Sequence, residues 1–117
     1  GASHETLLSL APKSVTTPVA MSISEQIGGV PSLTAVFVII TGIIGAIFGS
    51  SLFRILRIQD DSVKGMAMGI TAHGIGTARA FQISAEKGAF SGLAMALAAL
   101  VASLMMPWLT TRLLTLF

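Results

Sequence analysis

The chain has 117 residues, 53% of them hydrophobic and only 10% charged, with a mean hydropathy of +0.86. Soluble domains are about 25% charged, so this composition excludes an ordinary solvated surface and points to a single integral membrane domain over residues 1–117. A net charge of +2 scattered along the chain excludes a nucleic-acid stripe, and the lack of cysteine excludes disulfides and thiolate metal sites.

The opening GASHETLLSLAPKS has no basic stretch leading into an apolar core, so it does not read as a signal peptide. The missing initiator Met points to a processed or truncated chain. Residues 6–27 are long enough to cross a bilayer but are interrupted at 11–18 by APKSVTTP, where Pro12 and Pro18 stop a regular helix. Thr16 or Thr17 before Pro18 matches a helix cap followed by proline. Glu25 and Gln26 read as interfacial.

Residues 33–53, LTAVFVIITGIIGAIFGSSLF, carry no charge and match the ~20 residues a membrane-spanning helix needs. Gly42, Gly45 and Gly49 line one face and invite close helix approach. Residues 54–65 hold Arg54, Arg57 and Lys64 with Asp60 and Asp61, a solvated loop that the positive-inside rule puts on the cytoplasmic side.

Residues 65–84 form a second interrupted segment, broken at 73–79 by HGIGTAR. Hydropathy is equally compatible with full crossing and with re-entrant hairpins at both breaks. Glu86, Lys87 and Gly88 read as a turn on the opposite side. Residues 89–109 are a second uncharged span, with Trp108 as an interfacial anchor and Pro107 bending or ending the helix. Arg112 then returns to the cytoplasm. The expected fold is all-α and polytopic: two continuous transmembrane helices plus two broken ones, discontinuous or re-entrant, with a cytoplasmic C-terminus.

Both breaks carry polar chemistry. Lys13, Ser14, Thr16 and Thr17 lie in the first; His73, Gly74, Gly76, Thr77 and Arg79 lie in the second. Irregular backbone at membrane depth survives only where protein or a water-filled cavity satisfies it, which makes such breaks pointers to transporter sites. Two half-helix N-termini with Lys13 and Arg79 would hold a small anion, and Arg79 suits a forked grip on a carboxylate. Snorkelling or structural pairing is the alternative for the two cations. For His73 the alternative is satisfaction of nearby backbone.

Enzyme chemistry is not indicated. Lys13 and Ser14 are adjacent and do not face each other on a helix. HGIGTAR has no preceding strand and no Walker lysine, and His4 and His73 lack zinc-ligand spacing. No metal or cofactor is expected.

SLAPKSVTTPVAM, EQIGGVPSLTAVFVIITGIIGA and TAHGIGTARAFQ followed by GAFSGLAMALA resemble the LrgB/CidB family of bacterial membrane proteins. A plant plastidal glycolate/glycerate translocator carries a related domain. Family members are about twice this length, so the resemblance implies a C-terminal half with an N-terminal half missing. It implies a bacterial inner membrane, an LrgA/CidA-like partner and one of two roles. One is transport of small monocarboxylates such as glycolate, glycerate or pyruvate. The other is holin- or antiholin-like regulation of murein hydrolase export and autolysis. The cations at the breaks favour transport, with the nine residues above binding substrate; the glycine faces predict a homo-oligomer.

Overall fold

The computed structural model describes residues 1–116 as five helices: α1 (His4–Leu10), α2 (Thr17–Ile27), α3 (Pro31–Ile55), α4 (Asp61–Ile83) and α5 (Ala85–Leu114). No strand occurs among the described residues, in keeping with an all-α chain. Local chemistry sets the boundaries. Ser3 caps α1 by accepting the Thr6 N–H at 3.2 Å. Thr16 precedes α2 in extended conformation, with Pro18 in the first turn where no donor is missed. Gly28 ends α2 at φ 89°, a left-handed conformation open to a residue without Cβ.

Helices α3 and α5 are long and apolar enough to cross a membrane. Only 17% and 11% of their apolar windows are buried within the chain, where the core helix of a soluble protein is mostly buried. Both outrun the expected spans of 33–53 and 89–109. Helix α5 takes Glu86, Lys87 and Gly88 into its first turn, which Ser84 caps by accepting the Lys87 N–H. It also continues through Pro107, where the expectation was a bend or an end. Regular geometry persists beyond it, and the Thr111 hydroxyl donates to the Pro107 carbonyl at 2.8 Å.

Helix α4 is a hairpin. His73 has φ 42° and ψ −131°, far from helical values, and divides the segment into residues 61–72 and 74–83. A straight helix of 23 residues would be roughly 34 Å long at ~1.5 Å per residue. Its two ends instead meet: the Ser84 hydroxyl donates to Asp61 Oδ2 at 3.0 Å. Gly76 packs against Met68 and Ala72, and Ala80 shares an apolar cluster with Met68 and Phe53. The broken segment therefore turns back, and the break is one residue wide rather than the whole of 73–79. Gly74 and Gly76 are helical; the left-handed residue is the histidine.

Helices α1 and α2 form a shorter hairpin from the other end, joined by a turn at residues 11–16. Ser9, Ser24 and Thr34 are fully buried and tie its base to the start of α3. Thr34 Oγ1 lies 2.9 Å from the Ser9 carbonyl and 2.7 Å from Ser24 Oγ, and Ser9 Oγ accepts the Val30 N–H at 2.7 Å. Above this knot, Val15, Ala20, Ile23 and Ile27 pack with Val38 of α3, with Ala102 and Met106 of α5 alongside. Phe53 at the other end of α3 holds the α4 hairpin. The two hairpins thus sit tip to tip along the molecule, flanked by α3 and α5, within extents of 43 × 27 × 24 Å.

This arrangement corrects the expected topology. Lys87 was assigned to a turn opposite the 54–65 loop, yet its Nζ lies 3.4 Å from Asp61 Oδ1. Because α4 returns to its starting end, α5 leaves from the loop end. At ~1.5 Å per residue its 30 residues carry Arg112 to the far end, opposite the loop rather than beside it.

Asp61 fastens the hairpin base. The hydrogen bond from Lys64 and then that from Ser84 hold its carboxyl below the ordinary value of 3.8, with the Lys87 charge adding to this. A depressed carboxyl contributes stability above its unfolded pKa and loses it as pH falls through the lowered folded value. The unfolding temperature in detergent is therefore expected to fall as pH drops below about 4, and Asp61→Asn should flatten part of that fall. An unchanged acid limb in Asp61→Asn would show that this carboxylate fastens nothing.

Candidate functional site

Seen from the residues upward, the centre of the molecule is where the two tips approach. His73 is 3% exposed, and its Nε2 lies 2.8 Å from the Val38 carbonyl. A carbonyl only accepts, so Nε2 carries the proton in this contact. Gly42 makes room for the ring: a Cβ there would stand 2.7 Å from His73 Cε1. The left-handed backbone at His73 costs about 1–3 kcal/mol and persists because ring and neighbours hold it. Ser14 and Val15 of the first turn share an apolar groove of about 350 Å³ with Ile70 and the Ala98–Met106 stretch of α5. The first turn and the α4 tip are thus neighbours across one groove. The N-terminus of α2 and that of the returning half of α4 both begin at these tips.

The polar residues expected to converge do so only in part. Lys13 is half-buried and its Nζ donates to Ser14 Oγ at 3.1 Å. Thr16 and Thr17 are half-buried, and the Thr16 hydroxyl caps nothing. Thr77 is buried against α5, 2.8 Å from Ser91 Oγ and 3.8 Å from the Met95 sulfur. Gly76 is buried as a packing residue. Arg79 is exposed and its Nη1 donates to Gln82 Oε1 at 3.1 Å. Arg79 and Gly74 line a second cavity of about 430 Å³ with Ala46, Ile75, Ala78 and Gln82, and no residue of the first turn reaches it. Lys13 and Arg79 therefore occupy different surfaces, while His73 Nε2 and the Thr77 hydroxyl make their hydrogen bonds inside the chain.

Sequence reasoning passed over the buried hydroxyls of Ser9, Ser24, Thr34 and Ser91. It also missed the pairing of Asp61 with Lys87, which appears only once α4 folds back. The available signal was Gly65 and Gly69 one turn apart. A Cβ at either would collide with the backbone carbonyl of Lys87 or Ser91, so α5 lies directly on α4. No group of three or more metal-ligating side chains occurs among the described residues.

A stability contrast tests the tip. Gly42→Ala should cost about 1–3 kcal/mol because the pinned ring cannot yield. Gly74→Ala meets nothing within 4 Å, so it should be neutral or up to about 1 kcal/mol stabilising. Denaturant unfolding of the two variants checks this; equal effects would contradict the tip geometry.

Against known proteins, the model of the LrgB-like family matches residues 1–111. The chain is 46% identical over 101 residues to the uncharacterized protein YwbG of Bacillus subtilis, covering 86% of this chain and 45% of that protein. It is 38% identical over 107 residues to the holin-like protein CidB of Staphylococcus aureus, covering 92% of this chain and 47% of that protein. It therefore spans about half the length of the curated relatives it matches. No solved structure matches. On the family match and these identities, the chain belongs to the LrgB-like family.

Proposed function

We propose that the chain is the membrane-embedded helical half of a holin-like protein, acting by association with further transmembrane helices to regulate murein hydrolase export. The observation that carries this reading is the apolar surface of α3 and α5. Ile43, Ile44, Ile47 and Phe48 on α3, and Leu97, Leu100 and Leu104 on α5, are all exposed. Continuous apolar surface on this scale needs lipid or partner helices over it. The holin-like name of the CidB relatives adds support. The remaining half of the protein, an LrgA/CidA-like subunit and further copies of the chain are the partners on this reading. The cation-rich end, with Arg54, Arg57, Lys64 and Lys87, faces the cytoplasm by the positive-inside rule, and the C-terminus of α5 faces outward.

A second reading, transport of a small monocarboxylate, is supported by the approach of two half-helix N-termini at the hairpin tips. It assigns Lys13, Ser14, Thr16, Thr17, His73, Gly74, Gly76, Thr77 and Arg79 to a substrate path. For it to hold, Lys13 and Arg79 must converge through movement of the hairpins or through the rest of the protein.

Liposomes holding the intact protein separate the two. The holin-like reading expects release of an entrapped dye that rises steeply with protein density and is indifferent to Lys13→Ala and Arg79→Ala. Saturable uptake of labelled pyruvate, glycolate or glycerate, lost in either variant, would overturn it in favour of transport. Dye-tight vesicles holding only monomers would also overturn it.

A further inference from the structure

Away from both tips, a cavity of about 270 Å³ opens at the base of the α4 hairpin, between the end of α3 and the start of α5. Three cations line it: Arg54, Lys64 and Lys87. Ser50 and Gln59 add a hydroxyl and an amide, and Phe53 contributes an apolar wall. The Lys87 side chain is only 7% exposed. Its partner is Asp61 Oδ1, which also takes Lys64 at 3.2 Å. Asp61 is the one carboxylate ion-paired to these cations among the described residues, and Arg54 has no ion pair there. Asp60 is engaged elsewhere, capping α4 through the N–H groups of Ser62 and Val63.

Two lysines therefore share one carboxylate beside a recess that Arg54, without an ion pair among the described residues, also lines. Keeping a lysine buried with half a counter-ion is costly, and an anion in the recess would relieve that cost. We propose that this cavity binds a phosphate group. Free phosphate and a phosphodiester headgroup both present at least two charged oxygens with several lone pairs each, which the Arg54 fork, the two ammonium groups and the Ser50 and Gln59 donors can share. The oxygens of a phosphate diverge tetrahedrally toward cations on three helices, α3, α4 and α5, whereas those of a carboxylate share one plane. At ~30 Å³ of liquid volume per water, the cavity holds a phosphate with several waters. The phosphate arrives either as the headgroup of an anionic phospholipid or as free phosphate. The site shares no residue with the hairpin tips, and its test does not depend on whether the protein clusters or transports.

The experiment takes the intact protein, purified in neutral detergent and stripped of lipid. Inorganic phosphate is titrated by calorimetry, and phosphatidylglycerol binding is followed by native mass spectrometry. Arg54→Gln is the primary variant because Arg54 is exposed and unpaired among the described residues, so folding does not depend on it. Lys64→Gln is the second. Binding of either probe, weakened about tenfold or more in Arg54→Gln, supports the site. Phosphatidylglycerol alone identifies a lipid headgroup; inorganic phosphate as well identifies a soluble anion. Failure to bind either probe, or binding unchanged in both variants, overturns the proposal.

Discussion

The hydrogen bond between the His73 ring and the Val38 carbonyl is the contact on which the rest of the arrangement turns. It holds a non-glycine residue at φ 42° in the middle of an apolar segment. The Val38 carbonyl already faces its own helical partner four residues on, so the ring uses its second lone pair. That clamp holds the tip of the reversal in residues 61–83, and the reversal brings Asp61, Ser84 and Lys87 together at one end. With it, α4 becomes a hairpin whose tip stops near the middle of α3. The shorter α1–α2 hairpin then fills the other half.

Glycine and hydroxyl residues do the remaining joining. Between helices in lipid there is little hydrophobic driving force, so close contact and hydrogen bonds must bring them together. Gly65 and Gly69 let α4 lie on the α5 backbone, Gly88 admits Phe81, and Gly42 admits His73. The Ser9–Ser24–Thr34 knot and the Thr77–Ser91 pair do the same work with hydrogen bonds, and no buried side-chain donor or acceptor among the described residues is left without a partner. Each such group would cost about 1–3 kcal/mol unpaired.

Much of this was legible in the sequence because apolar runs report directly on helix extent, and Pro12 and Pro18, unlike Pro107, lie at helix boundaries. The spans at 33–53 and 89–109 fall within α3 and α5; of the interruptions expected at 11–18 and 73–79, the first covers the turn before α2 and the second shrinks to His73 alone. What hydropathy does not carry is direction. A segment of 20 residues has the same composition whether it crosses or folds back, and the choice rested on two positions far apart in sequence, Val38 and His73. A crossing α4 puts Lys87 opposite the 54–65 loop and Arg112 beside it, and the reversal exchanges the two ends. The polar residues at the breaks were found, but their side-chain targets were not. A histidine that caps a neighbouring helix and one that faces a cavity look alike in a single sequence.

Helices α3 and α5 bury little of their own apolar surface within the chain, which leaves that surface for lipid or partners to cover. The account rests most heavily on the reversal of α4, and the absence of native cysteine makes it directly testable. Asp61→Cys with Ser84→Cys puts two thiols where the native side chains approach to 3.0 Å. Rapid disulfide formation within one chain on mild oxidation in membranes is the expected result. No disulfide, with spin labels at the same two positions roughly 34 Å apart as in a straight helix, would contradict it.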